Sequence, residues 1–504
     1  MTAKLQQREM ELYRPNTAID LLQIPGLGRL LRWSWGRLVL QIPLFIAAVF
    51  LIIDGLTGPQ VAPRNLATVA PWVHYRGLVV IALLLVGNLF CMGCPFHIPR
   101  TLAKRLSLRG RRFPKILRNK WIAIGSLFLL FFLYESLNLW ASPSLTAWVI
   151  VAYFVASFAM EAVFTESAFC KYVCPLGTFN FVYSTASPTQ IATKRADVCA
   201  NCQGKECING SWASQPIIRT DEIPITNETG DIETQARQVD NGPLGVLGCG
   251  TQLFAPQIKS NLDCVFCLDC VRACPHENIG LMVRTPGREL MQVDAWPKKW
   301  DISFLVIILA FMGVVNAFGM VPPVYELQNA LMRNFNLTEM LTLLLIFLVG
   351  GILLPISLTL AVACLTQALT QTVKKYPLRH TVAAFAPSFV PIGFGIWFAH
   401  YGFHFLIAPL SIIPVIQEFV GQTAEWARFS VSADSGLIGL IQVVVLVGGF
   451  LWSMLIAQRT ALRLYRRRGV QGLLPWALLL FLLMLTALNI FSLPMEMRGS
   501  VLLS

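Results

Sequence analysis

Apolar residues run along this chain in stretches of about 20, the length an α-helix needs to cross ~30 Å of hydrocarbon. Nine such runs are legible: Leu38–Leu56, Gly77–Cys91, Trp121–Trp140, Leu145–Phe164, Phe304–Val321, Met340–Cys364, Val382–Ile407, Leu437–Ala457 and Leu473–Ile490. Four precede and five follow a long polar stretch, Ser184–Lys299. The pattern predicts a mainly α, polytopic helical membrane protein of about nine spans with one polar domain inserted. Its parts are an N-terminal segment 1–36, a four-span membrane domain 37–183, the inserted domain 184–299 and a five-span membrane domain 300–504.

Composition agrees with that division. Hydrophobic residues make up 55% of the 504 and charged residues 13%, against about a quarter charged in a soluble domain. Mean hydropathy is +0.60, so the lipid bilayer is the expected surroundings of most of the chain. The net charge of +13 implies no nucleic-acid partner, because the basic residues cluster in short loops between apolar runs. Arg100, Lys104, Arg105, Arg109, Arg111, Arg112, Lys115, Arg118 and Lys120 follow the second run, with no acid among them. Lys374, Lys375 and Arg379 follow the sixth, and Arg459, Arg463, Arg466, Arg467 and Arg468 the eighth. All of these fall on one side of the membrane, which the positive-inside rule makes cytoplasmic. The expected location is therefore a bacterial inner membrane, with the inserted domain cytoplasmic and the C-terminus periplasmic. No signal peptide is expected, since the first long apolar run begins only near Leu38.

The thirteen cysteines bring in the chemistry. Cys264-x2-Cys267-x2-Cys270-x3-Cys274-Pro275 has the spacing of one half of a bacterial two-cluster [4Fe–4S] ferredoxin, in which the fourth cysteine ligates the other cluster. Cys199-x2-Cys202-x4-Cys207 supplies a second triplet, and Cys249 stands alone after a long polar insertion. By the crossed rule one cluster takes Cys199, Cys202, Cys207 and Cys274, and the other takes Cys264, Cys267, Cys270 and Cys249. Paired cysteines also suit zinc, but zinc does not account for a C-x2-C-x2-C-x3-C-P run.

Four more cysteines stand at the inner ends of spans. Phe90-Cys91-Met92-Gly93-Cys94-Pro95 ends the second run, and Phe169-Cys170-Lys171-Tyr172-Val173-Cys174-Pro175 follows the fourth. The two copies read as an internal repeat after two helical hairpins. If the hairpins pack side by side, Cys91, Cys94, Cys170 and Cys174 can hold an additional iron–sulfur centre at the membrane face or act as redox dithiols. Cys364 is alone and reads as packing.

The Phe-Cys and Cys-Pro pairs at helix ends, joined to a double ferredoxin block, resemble the membrane polyferredoxin family. To it belong the membrane quinol dehydrogenase subunit of periplasmic nitrate reduction, the nitrous oxide reductase maturation protein and the cytochrome oxidase accessory polyferredoxin. The resemblance covers roughly Leu38–Arg284. Cys170-x3-Cys174-Pro175 has the family spacing, the Cys91 motif is one residue shorter, and the covalent flavin motif of the nitrous oxide branch is not apparent. The resemblance implies an oxidoreductase subunit of a respiratory complex, linking a cytoplasmic source or the quinone pool to a periplasmic carrier such as a c-type cytochrome. An assembly factor that reduces metal or thiols during metalloenzyme maturation is the alternative.

The outer side offers His400 and His404, one helical turn apart, with His74 before the second run. Ionisable residues at membrane depth are functional candidates, here for haem, a metal or a quinol head group, although interfacial histidines also simply bond neighbouring helices. Glu135 is a candidate proton carrier on the same ground. The chain has no C-x-x-C-H for covalent haem and no P-loop, and Gly26-Leu27-Gly28 lacks the rest of a dinucleotide fingerprint. The charge pattern gives a direct test. A topology reporter fused at Ser504 should report the periplasm and one fused within Asp221–Gly230 the cytoplasm; the reverse pattern would invert the orientation.

Overall fold

Helices dominate the computed structural model, as lipid requires of a chain that must satisfy its own backbone N–H and C=O groups. The structure describes residues 19–33, 35–98, 111–211, 217–226, 232–239, 245–292 and 296–496. Arg100, Lys104, Arg105 and Arg109 of the basic loop lie outside the described residues, as do the first 18 residues and Ser504.

Among the described residues, seven helical stretches are long and apolar enough to cross a bilayer, and Trp121–Ser136 is apolar but shorter. In chain order the helices are α1 (Gly36–Thr57), α2 (Leu66–Leu85), α3 (Trp121–Ser136), α4 (Pro143–Val163), α5 (Trp300–Phe318), α6 (Glu339–Thr370) and α7 (Leu378–Ile407). The last stretch, Ser435–Ser492, is broken by a 3-10 turn at Arg466–Arg468 into α8 (Ser435–Tyr465) and α9 (Gly469–Ser492), which pack on each other. The protein is thus a multi-pass membrane protein by its helices. The buried centre is formed by α5 and α7, with 83% and 89% of their spanning windows enclosed.

Two boundaries differ from the sequence expectation. The second helix lies at Leu66–Leu85, earlier than Gly77–Cys91. Its first half looked too polar to span, yet Thr68 bonds the Asn65 carbonyl at 3.0 Å, Asn65 caps the helix through Ala67 N at 2.8 Å, and His74 and Arg76 are buried. Gly87, at φ +83, ends it, so Cys91 sits beyond the span on the short helix Leu89–Gly93. The third helix stops at Ser136 because Asn138 turns left-handed at φ +48. Its 16 residues cover about 24 Å, short of the ~30 Å core.

The inserted domain is organised by an antiparallel pair, β1 (Thr189–Thr193) with β4 (Ile279–Val283), in register from Thr189↔Val283 to Thr193↔Ile279. Part of the N-terminal segment joins this sheet: Asp20 bridges Met282, and its carboxylate accepts from Leu22 N and Leu281 N, both at 3.0 Å. The insertion between Cys207 and Cys249 contains the hairpin β2 (Ile217–Thr226) and β3 (Ile232–Val239). A bridge between Ser211 and Val246 closes its base, and Cys249 N then bonds Cys207 O at 2.9 Å.

The domain is held on the helix ends by buried polar contacts. Arg37 at the start of α1 pairs with Asp269 at 3.2 Å, Lys120 before α3 bonds Asp263, and Asn88 donates to Cys264 O at 2.9 Å. Arg284, fully buried, donates to Ser187 O, Thr185 O, Gln190 Oε1 and the Glu289 carboxylate. Removing one member of such a pair leaves a buried charge uncompensated, at about 3–5 kcal/mol. Arg284→Met should therefore lower the thermal inactivation midpoint of the purified protein markedly, while Arg428→Ala, in an exposed pair, leaves it unmoved.

Candidate functional site

The first cysteine set is built by two short helices and a tight turn. Cys199 lies on Ala196–Asn201, and Cys202 ends that helix. Lys205, at φ +50, turns the chain into Glu206–Asn209, which carries Cys207. Cys274 ends Asp269–Ala273 and is followed by Pro275. Cys199, Cys202, Cys207 and Cys274 line one cavity of about 20 Å³ with Phe254, Pro275 and Asn278. Asn278 Nδ2 donates to Cys199 Sγ at 3.1 Å. Burial raises the Cys199 thiol to about 11, with Cys274 and Cys202 adding to the rise against the Asn278 bond. Burial likewise takes Cys207 to about 12, with Cys274, Cys199 and Cys202 again contributing. Cys199, Cys202 and Cys207, all raised by burial, stay neutral unless a positive centre compensates their charge.

The second set sits on the loop Cys264–Cys270. Phe266 at φ +53 and Leu268 at φ +59 are left-handed, at about 1–3 kcal/mol of strain each. Cys270 lies within electrostatic range of Cys249, Cys267 and Cys264, and also of Cys207 in the first set. The insertion that separates Cys249 in sequence is bypassed by its closed base. Leu253 N donates to Cys249 Sγ at 3.3 Å, and Thr251 Oγ1 lies 3.5 Å away.

The third set gathers at the inner helix ends. Cys170 lies in a π-helical turn, Phe169–Val173, and Cys174 caps Pro175–Tyr183, its sulfur accepting from Gly177 N at 3.2 Å. Asn180 Nδ2 donates to Cys91 Sγ at 3.3 Å. Cys170 is within electrostatic range of Cys174, Cys94 and Cys91. Cys91 and Cys170 pack in one apolar cluster with Phe181, Val265 and Cys267, and Cys264 feels Cys91. The third set therefore abuts the second, as the second abuts the first.

Among the described residues no group of three or more His, Cys, Asp or Glu closes around a single metal ion. The histidines do not assemble a metal site either. His74 has both ring nitrogens on backbone carbonyls, Val69 O at 3.2 Å and Pro409 O at 3.3 Å. His400 Nε2 meets Met320 Sδ at 3.1 Å, and the His400 and His404 rings are 5.3 Å apart. Cys364 is exposed on α6, so it does not pack in a core.

Sequence reading missed three features. His97 Nε2 lies 4.0 Å from Cys170 Sγ, and Glu161, buried in α4, also acts on that thiol. Glu161 was detectable as an acid inside an apolar run. The third is an apolar cavity of about 300 Å³ enclosed by α1, α2, α3 and α4. At one end it meets Asn180, Pro95 and Pro175 beside the third set, and at the other Arg76, Tyr134 and Tyr401. Arg76 follows a π-helical turn, Ala70–Tyr75, of the kind frequent at functional sites. Its guanidinium lies 4.4 Å from the Trp72 ring, 4.3 Å from Tyr134 and 5.1 Å from Tyr401, and it donates to Tyr134 Oη at 3.2 Å.

Comparison of the chain with family models, with characterised proteins and with solved structures gave no match.

The raised thiols predict a pH response of protein freed of metal. An unfolded cysteine ionises near 8.5–9, whereas Cys199 and Cys207 do so near 11 and 12 when folded. The folded state binds more protons in between, so their contribution to stability is complete below about pH 8.5 and is lost as pH rises to 11–12. Chemical denaturation of metal-stripped protein should show that fall. Cys199→Ala and Cys207→Ala together should make it shallower, the rest coming from other raised groups such as Cys202.

Proposed function

We propose that this chain is a membrane-bound iron–sulfur electron-transfer protein of the membrane polyferredoxin kind. The observation that carries the reading is the contiguity of three cysteine sets, from the cavity of Cys199, Cys202, Cys207 and Cys274, through Cys249, Cys264, Cys267 and Cys270, to Cys91, Cys94, Cys170 and Cys174. The first two sets are assigned to two [4Fe–4S] clusters, and the third to an additional centre at the membrane face. Clusters held there would supply one-electron transfer; the chain contributes the thiolates, their burial and N–H bonds to sulfur from Asn278, Asn180, Gly177 and Leu253, which set potentials.

The apolar cavity supports exchange with the quinone pool. It has the size of a small-ligand pocket, begins beside the third set, and ends at a buried guanidinium held by aromatic faces. Such a cation costs several kcal/mol to desolvate against about 2 kcal/mol returned by a desolvated cation–π contact, so an electron-rich oxygen of a quinone ring would offset the remainder. The assigned topology has nine crossings in a bacterial inner membrane, with α8 and α9 as separate spans and the cysteine domain cytoplasmic. A separate c-type cytochrome is the proposed partner.

Anaerobically purified protein should contain about eight irons from the two domain clusters and about two to four more from the third set, with equivalent labile sulfide. Replacing Cys91 and Cys174 together by serine should remove about two to four irons and leave the domain's EPR signals intact. Stoichiometric zinc without labile sulfide would falsify the reading. Unchanged iron with a lost disulfide would instead make the third set a dithiol relay.

A further inference from the structure

The far end of the cavity opens onto a chain of buried polar groups that electron transfer does not use. Tyr134 lines the cavity, and the next residue, Glu135, is 7% exposed inside the protein. Its carboxyl lies against Gly319, where a Cβ would stand 3.1 Å from Oε1. One turn back on the same strip of α5 is Asn316, 0% exposed, with neither amide atom bonded to protein among the described residues. One residue beyond Gly319 is Met320, whose sulfur meets His400 Nε2, and His400 leads to His404, 1% exposed, on the next turn of α7. Met320 O accepts from Glu496 N at 2.9 Å, and the half-buried Glu496 carboxylate accepts from Tyr325 Oη.

All of these groups lie far from the cysteines. Lys120 ties the starts of α3 and α5 to the cysteine domain through Asp263 and Asp301. Glu135 and Asn316 occupy the opposite ends of those helices. On α7, Gly393 lies against Tyr183 at the domain side, and His400 and His404 follow about 10–16 Å along the axis.

We propose that Glu135, Asn316, His400 and His404 form a proton route from the cavity to the side of the membrane opposite the cysteine domain. This rests on the reading of the cavity as a quinol site. A quinol oxidised there gives a quinone, two electrons to the cysteine side and two protons; the Glu135 carboxylate accepts the protons one after the other and passes each outward to the imidazoles before it takes the next. Asn316 is the positioning residue. A buried amide with no partner costs about 1–3 kcal/mol per group, and ordered water, which makes about three hydrogen bonds in such places, removes that cost while bridging Glu135 to the histidines.

The test is the redox-induced infrared difference spectrum of the whole purified protein, poised electrochemically in the presence of decylubiquinone. The expected result is a protonated-carboxyl band that shifts in D2O, is lost in Glu135→Gln and is displaced in Asn316→Leu. A redox spectrum without that band, or with a band untouched by Glu135→Gln, overturns the proton route and leaves electron transfer standing. A spectrum with no redox-induced change at all overturns the electron-transfer reading as well. Should Glu135→Gln fail to fold, dicyclohexylcarbodiimide on the wild type takes its place. Peptide mass mapping should find Glu135 modified, and an unmodified Glu135 counts against the route.

Discussion

Everything in this molecule depends on how the loop Asp263–Asp269 is fastened to the ends of the membrane helices. Asn88 fixes the carbonyl of Cys264, Lys120 holds Asp263, and Arg37 holds Asp269. Three points, from the end of α2 and the starts of α3 and α1, define a plane, and the loop cannot tilt on it without breaking a buried charge contact. With the loop fixed, Val265 and Cys267 press into the apolar cluster that holds Cys91 and Cys170. A shift at these contacts would separate the second and third cysteine sets while leaving each set intact. The docking is therefore a constraint on distance between sites, and its buried ion pairs are better read as specifying position than as adding stability.

The same economy of polar groups runs through the membrane part. Backbone and side-chain donors near the thiols are aimed at sulfur, from Gly177, Asn180, Leu253 and Asn278. Elsewhere in the bundle polar side chains meet backbone carbonyls, as His74 does with Val69 of its own helix and Pro409 past the end of α7, and Trp397 with Leu309 of α5 at 2.9 Å. Burial without a partner is costly, so the exceptions are informative. Asn316 in the wall of α5 is one of them, whereas Arg76 beside the cavity is bonded to Tyr134 Oη.

Much of this was legible in the sequence because lipid and cysteine spacing are strong constraints. Long apolar runs appear as helices at α1, α4 and α5 within a few residues, since nothing in them competes with helix formation. The structure brings Cys274 beside Cys199, Cys202 and Cys207 around one small cavity. The second helix was misplaced because hydropathy counts Thr68, His74 and Arg76 as polar, whereas the fold satisfies them internally. The left-handed Phe266 and Leu268 were invisible, because a non-glycine residue in that region carries no signature of its own. The membrane histidines looked like ligands for the same reason in reverse: their residue type suggested chemistry, and only the tertiary structure supplies the carbonyls and the Met320 sulfur that meet them.

Charge separation in such a bundle needs two exits from one place. On the proposed reading electrons tunnel through packed protein, for which the apolar contact among Cys91, Phe181, Val265 and Cys267 would suffice on one side. A proton moves only along hydrogen-bonding groups, and a continuous apolar wall stops it. The cavity is bounded by both kinds of surface, packed thiols and prolines at one end and Arg76, Tyr134 and the polar strip behind it at the other. Glu135, one residue from the end of α3, is buried beside the cavity residue Tyr134 and lies against Gly319 at the end of α5.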